Sequence, residues 1–133
     1  MTLVREAMVV DPRSLGVDST AREAGELLAN EDVRAVFVCD EGQQLVGVLT
    51  RKTLVREVVA RGKDPNSTRL GDIAEPPYYT FEAEASVEDA FRFMEEQDAE
   101  RVPVVEAGRL VGVLSRAVVQ RRLAEDEPVE ETV

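Results

Sequence analysis

The sequence predicts an α+β fold in which two β-α-β-β-α repeats pack as a pseudo-twofold pair. Residues 45–51 (LVGVLTR) recur as residues 110–116 (LVGVLSR), and the two segments differ only at Thr50 and Ser115. Upstream matches continue at a steady offset of 66 residues, for example from Val36 to Val102. A single repeat of about 55–60 residues would bury little surface and be marginally stable alone. The two copies are therefore expected to form one module.

The repeat also sets the expected domain boundaries. The first repeat is expected over residues 1–62 and the second over residues 70–124. Residues 63–69 (KDPNSTR) have the Pro, Asn, Ser and Thr content of a linker. Residues 125–133 carry five acidic and no basic side chains, which predicts a flexible acidic tail.

Each repeat is expected to open with a short strand and an amphipathic helix. The strands are expected near residues 14–17 and 78–82. Thr20 and Ser86 each stand three residues before an acid, and this capping-box spacing predicts that a helix begins after each of them. Apolar residues then recur at helical spacing in both copies. The predicted stripes are Ala24, Leu27 and Leu28 in the first copy and Val87, Ala90, Phe91 and Met94 in the second.

A hairpin and a second helix complete each repeat. The apolar runs at residues 36–39 and 102–105 are each followed by a glycine-bearing turn and then by the LVGVL segment, which is typical of a β-hairpin. Thr50 and Ser115 then predict the start of a second helix, and Gly62 predicts the end of the first copy's helix. The predicted apolar stripes are Leu54, Val55, Val58 and Val59 in the first copy and Val118, Val119 and Leu123 in the second.

The composition excludes several classes of function. Asp and Glu number 27, Lys and Arg number 16, and the net charge of −11 argues against nucleic acid and anionic membranes as partners. The chain has no His, the commonest general base near neutral pH, and a single Cys, Cys39, which rules out an internal disulfide. Asp40 is expected to raise the Cys39 pKa rather than activate the thiol. Without a signal-like segment or nucleophile motif, we expect a cytoplasmic protein that is not an enzyme.

The segments 99–105 (AERVPVV) and 108–116 (GRLVGVLSR), with their looser first copy, resemble a tandem pair of CBS domains, or Bateman module. The resemblance covers about residues 3–123. It implies a regulatory protein that does no chemistry and binds an adenine nucleotide or adenosyl-type anion in the cleft between the repeats. AMP, ADP, ATP and S-adenosyl compounds are the implied ligands, and no cofactor is required. It also implies a homodimer that acts on a regulated protein, whose identity the sequence does not give.

The start of each second helix is the candidate anion site. A helix N-terminus offers backbone N–H groups and the positive end of the helix dipole. Thr50 and Ser115 add a hydroxyl, and Arg51 and Arg116 add a cation, which is unfavourable beside the dipole unless an anion is near. Two alternatives remain open: the hydroxyls serve only as helix caps, and the arginines are solvated.

The resemblance assigns further ligand contacts. It implies that Val102 and Pro103 line the adenine pocket in the second copy and that Val36 does so in the first. Arg101, which begins an apolar strand, is expected to reach a phosphate. In the first copy Ala35 and Phe37 stand where the family has Arg and Pro.

The sequence departs from the family at the ribose contact. The resemblance implies an Asp three residues after the Ser or Thr, but Thr53 and Val118 occupy these positions. Thr53 keeps one hydrogen-bonding group, whereas a ribose hydroxyl left unpaired against Val118 costs about 1–3 kcal/mol. Two alternatives follow: a ligand-free dimeric interaction scaffold whose nucleotide sites have decayed, and a site for an anion without ribose.

Overall fold

The computed structural model describes residues 1–126, and both repeats carry the predicted β-α-β-β-α order. The rest of the predicted acidic tail, from residue 127, lies outside the described residues. Within the described part, no helix combines the length and the apolar composition that a membrane span requires. In chain order the elements are α1 (Val4–Ala7), β1 (Ser14–Gly16), α2 (Ala21–Leu28), β2 (Val36–Cys39), β3 (Leu45–Leu49), α3 (Arg51–Leu54) with a π-helix (Val55–Val59), α4 (Leu70–Ile73), β4 (Phe81–Glu82), α5 (Val87–Glu96), β5 (Arg101–Glu106), β6 (Arg109–Ser115) and α6 (Arg116–Asp126).

Two three-stranded sheets with the same topology confirm the α+β class. The strand orders are β1-β2-β3 and β4-β5-β6. β1 runs parallel to β2 with Leu15 opposite Val38, and β4 runs parallel to β5 with Phe81 opposite Val104. Both members of the second pair lie 66 residues after their counterparts, so the sequence repeat is also a repeat of strand register.

The first helix of each repeat begins where the capping signals predict. The Thr20 hydroxyl accepts a hydrogen bond from the Glu23 N–H at 3.2 Å, and the Ser86 hydroxyl accepts one from the Asp89 N–H at 3.4 Å. The helices bury one face each, which anchors them to their sheets. The buried positions are Ala21, Ala24 and Leu28 in α2 and Val87, Ala90 and Met94 in α5.

The second helix of the first repeat differs from its prediction in two respects. After α3 it winds as a π-helix, in which the Ala60 N–H bonds to the Val55 carbonyl at 2.8 Å. Val58 is buried, but Val55 and Val59 are 58% and 71% exposed, so the predicted stripe is wrong at these two positions. Leu54 and Val58, which come just before them, pack on the core. Because one position along a helix rotates a side chain by about 100°, Val55 and Val59 point away from it. Gly62 ends the helix with φ of +66°, as predicted.

Two one-turn helices, α1 and α4, were not apparent from the sequence. In α1 the N–H groups of Val4 and Arg5 donate to the carbonyls of Ala85 and Ala83. In α4 the equivalent N–H groups of Leu70 and Gly71 donate to the carbonyls of Ser19 and Val17. Helix α1 therefore precedes the first repeat but bonds to the second, and α4 precedes the second repeat but bonds to the first.

The contacts accordingly divide the chain into two units. Among the described residues, unit 1 comprises residues 1–11, 79–106 and 111–126, and unit 2 comprises residues 12–78 and 107–110. Val4 and Ala7 lie in the buried core of unit 1, and Leu70 and Ile73 lie in that of unit 2. The boundaries expected from the sequence follow chain order. In the structure, α1 belongs to the unit that contains the second repeat, and α4 belongs to the unit that contains the first. The boundaries at residues 62, 69 and 124 stay predictions.

Candidate functional site

Unit 1 contains a cavity of about 300 Å³ at the start of α6. Three of its lining residues, Arg101, Ser115 and Arg116, are predicted site residues that the chain brings together from two strands and a helix. Its volume lies at the lower end of the range for small-molecule pockets. The lining residues are Glu100, Arg101, Ser115, Arg116, Ala117 and Gln120.

The backbone ties the two sides of this cavity together. Ser115 is the last residue of β6, and Arg116 begins α6 immediately after it. The Arg116 N–H donates to the Glu100 carbonyl at 2.8 Å, which holds the first turn of α6 against the start of β5. Arg101 begins β5 and is exposed. The cavity therefore presents two guanidinium groups and a hydroxyl at a helix N-terminus, a combination that suits an anion.

Arg116 already has partners within the chain. Its guanidinium lies 3.3 Å from the Asp98 carboxylate and 3.8 Å from the Glu100 carboxylate, and it donates to the Met94 carbonyl at 3.4 Å. The Arg116 side chain is 25% exposed, whereas both carboxylates are largely exposed. Since exposed ion pairs contribute little, about 0–1 kcal/mol, these contacts orient the arginine without fixing it strongly.

The equivalent groups in unit 2 are arranged differently. The Arg51 guanidinium donates to the Asn30 carbonyl at 2.8 Å. Thr53 is 1% exposed, and its hydroxyl accepts the Thr50 N–H at 3.3 Å and lies 3.2 Å from the Thr50 hydroxyl. Val36 is fully buried in the core of unit 2. Thr50, Arg51 and Thr53 thus bond to the chain itself, and their contact with a ligand stays a prediction.

The predicted adenine contacts in the second copy lie in the core of β5. Val102 and Pro103 are buried and are not among the residues that line the cavity. Their contact with an adenine ring stays a prediction, as does that of Val36.

Sequence reasoning missed Glu100, Ala117 and Gln120 as lining residues. Gln120 follows Arg116 by four residues, so helical periodicity places both on one face of α6. Glu100 stands beside Arg101 in the segment that carries the family resemblance, but its charge does not suggest an anion site.

Cys39 has the environment of an inert thiol. Burial raises the pKa of the Cys39 thiol, and the neighbouring Asp40 carboxylate raises it further. The direction confirms the expectation from the sequence, with burial as the larger cause. Among residues 1–126, no three His, Cys, Asp or Glu side chains come together as a metal site would require.

The sequence model of the CBS domain matches this chain twice, at residues 4–60 and 70–131. These matches cover both structural repeats and most of the chain. The chain therefore belongs to the CBS domain family and carries the tandem pair that its sequence repeat predicts.

Similar proteins share this pair over nearly their whole length. Hypoxic response protein 1 of Mycobacterium tuberculosis is 32% identical over 130 residues, which cover 98% of this chain and 91% of the relative. A crystal structure of Hypoxic Response Protein I with two coordinated zinc ions has a TM-score of 0.77 at 32% identity; the match spans 92% of this chain and 99% of that chain. A crystal structure of CBSX2 in complex with AMP has a TM-score of 0.76 at 25% identity and covers 94% of this chain and 98% of that chain.

Proposed function

We propose that this protein is a non-catalytic regulatory CBS-pair protein that binds an adenine nucleotide or adenosyl-type anion. The observation that carries the proposal is the cavity of unit 1, where Arg101, Ser115 and Arg116 meet at the start of α6. Two cations and a helix N-terminus would bind a phosphate by charge-assisted hydrogen bonds. The AMP in the CBSX2 crystal structure supports this class of ligand.

The proposal assigns the ligand to the second copy rather than the first. In unit 2 the Thr53 hydroxyl already bonds to Thr50, and Arg51 already donates to a backbone carbonyl. A phosphate there would have to displace both contacts. In unit 1 Arg116 would exchange two weak, exposed ion pairs and a 3.4 Å hydrogen bond to the Met94 carbonyl for a phosphate.

A thermal-shift panel with AMP, ADP, ATP and S-adenosylmethionine tests this proposal. A ligand present at 100 times its dissociation constant should raise the free energy of unfolding by about 2.7 kcal/mol. We expect stabilisation by at least one member of the panel, and its loss when Arg101 and Arg116 are both changed to Ala. No shift with any of the four at millimolar concentration would contradict the proposal.

We further propose that the protein is a cytoplasmic homodimer. Val55 and Val59 expose an apolar surface on the π-helix of unit 2, and burying such a surface favours association. The equivalent positions of α6, 65 residues later, hold Gln120 and Ala124. We expect Val59→Glu to shift the sedimentation coefficient towards the monomer and the matched Ala124→Glu variant to leave it unchanged. Cell fractionation would test the location.

A second candidate function is that of a ligand-free interaction scaffold. The pairing of Arg116 with Asp98 and Glu100 favours it, because the chain supplies its own anions at the site. This candidate predicts a stable dimer, no response to the ligand panel, and partner binding that survives replacement of both arginines by Ala.

Zinc is not part of the proposal, although it is present in the crystal structure of Hypoxic Response Protein I. This chain has no His, and its one Cys is buried with a raised pKa. Zinc sites of proteins are built mainly from His and Cys, so the residues present do not fit one.

A further inference from the structure

We propose that Glu100 is a specificity-determining residue that makes the cavity of unit 1 prefer a nucleotide with one phosphate to one with three. The inference rests on the proposed function and concerns the same cavity. Glu100 supplies the one acidic side chain among its six lining residues, beside the cations of Arg101 and Arg116.

The charges of the lining residues limit how much negative charge the cavity can compensate. Arg101 and Arg116 contribute two positive charges, and Glu100 removes one. A monophosphate carries a charge of roughly −1.5 to −2 at pH 7, which the net charge of the lining residues compensates better than it would compensate a triphosphate. Each further phosphate would add negative charge beside the Glu100 carboxylate and repel it.

The geometry places Glu100 at the edge of the cavity, beside one of its two cations. Its carbonyl accepts the Arg116 N–H at 2.8 Å, so its backbone is held at the first turn of α6. Its carboxylate lies 3.8 Å from the guanidinium of Arg116, one of the two cations that line the cavity. The cavity volume of about 300 Å³ also favours the smaller ligand.

Asp98 provides a matched control. It also pairs with Arg116, at 3.3 Å, but it does not line the cavity. Asp98 has φ of +51°, a conformation that Asn adopts readily, so Asp98→Asn keeps the backbone and removes the same charge. Glu100→Gln keeps the size of an exposed side chain, so both variants are expected to fold.

The experiment is calorimetric titration of AMP and of ATP into the full-length wild type, Glu100→Gln and Asp98→Asn at low salt. We expect the wild type to bind AMP more tightly than ATP. Glu100→Gln should tighten ATP binding about fivefold more than AMP binding, which corresponds to roughly one exposed charge interaction. Asp98→Asn should change the ratio of the two affinities less than about twofold.

The outcomes separate this inference from the proposed function. If the wild type binds AMP and Glu100→Gln leaves the ratio unchanged, or Asp98→Asn changes it equally, the role of Glu100 is wrong and the nucleotide site stands. If only Glu100→Gln binds nucleotide, Glu100 excludes every nucleotide instead of selecting among them, and both the inference and the proposed function are overturned. If no variant binds either nucleotide, both are overturned.

Discussion

The two repeats carry nearly the same seven residues at the start of their second helices, yet the arginines have different partners. In unit 2 Arg51 donates to the carbonyl of Asn30, two residues beyond the end of α2. In unit 1 Arg116 reaches the Met94 carbonyl and also faces the carboxylates of Asp98 and Glu100 beside a cavity. The arginine of this motif therefore bonds to the fold in both copies, and in unit 1 it also lines the cavity.

The comparison explains why an arginine at a helix N-terminus is not by itself a sign of an anion. Each guanidinium reaches back to a carbonyl at or near the end of the preceding helix, and cations are favourable there. A ligand in unit 1 is therefore supported by the cavity and by Arg101, which has Ala35 as its counterpart in the first copy.

The largest expected effect is on the free energy of unfolding, and it tests the glycine that the two copies share, Gly47 and Gly112. A Cβ on Gly112 would lie 2.8 Å from the Val9 carbonyl oxygen and 2.5 Å from the Met8 sulfur, and one on Gly47 would lie 2.7 Å from the Ala74 Cβ. Either substitution by Ala should lower the free energy of unfolding by about 2–3 kcal/mol in urea denaturation.

Gly25→Ala is the control for both glycine variants. Its Cβ would meet Leu54 at an ordinary 3.9 Å inside α2, so this variant should gain about 0.5–1 kcal/mol through helix propensity. Wild-type stability for Gly112→Ala or Gly47→Ala would contradict the close crossing of segments at these two positions.

The next largest effect is on AMP affinity, and it distinguishes the arginine of the second copy from that of the first. Arg116→Ala should weaken binding of AMP about tenfold or more, because it removes a charge-assisted hydrogen bond to phosphate. Arg51→Ala should leave the affinity within about twofold. Calorimetric titration measures both, and equal losses from the two variants would remove the distinction between the copies.

A gain of binding sharpens the same distinction. Val118 stands where the family pattern has an Asp that accepts hydrogen bonds from ribose hydroxyls. Val118→Asp should therefore strengthen AMP binding about fivefold. Val118→Asn is the uncharged control, and the gain should shrink when 2′,3′-dideoxy-AMP replaces AMP. An unchanged AMP affinity for Val118→Asp would count against a ribose beside this position.

The smallest effect concerns Cys39, whose equivalent in the second copy is Val105. Because burial raises the pKa of the Cys39 thiol in the folded chain, the unfolded thiol loses its proton first as the pH rises. Stability should then fall as the pH rises through the ordinary thiol pKa of about 8.5, by less than about 1 kcal/mol at pH 9.5. In urea denaturation at pH 7 and 9.5, Cys39→Val should remove the part of the stability loss that comes from the thiol. An unchanged difference in free energy of unfolding between the two pH values would contradict this prediction.

Much of the fold was predictable because its signals are local. The capping residues Thr20 and Ser86, the hairpins and the C-terminal Gly62 each act within a few residues of their position. The one-turn helices α1 and α4 were missed because four residues carry no periodicity, and the hydrogen bonds that hold them are long-range. The exposure of Val55 and Val59 likewise depends on which helix face meets the core.

The candidate site was predictable only in part. Arg101, Ser115 and Arg116 line the cavity, and the repeat pointed to all three. Glu100 was missed because only its contact with Arg116 in the folded chain marks it as a site residue, and the sequence spacing does not show that contact. Thr53 looked available for a ligand, but it is buried and its hydroxyl bonds to Thr50 in the first turn of α3.

The most direct test of the central claim, that a nucleotide binds in the cavity of unit 1, is amide chemical-shift mapping by NMR during titration with AMP. One spectrum reports both copies at once. We expect saturable shifts at the amides of Arg101, Arg116, Ala117 and Gln120, and much smaller ones at Arg51 and Thr53. Shifts confined to residues 50–55, or none at millimolar AMP, would contradict the account.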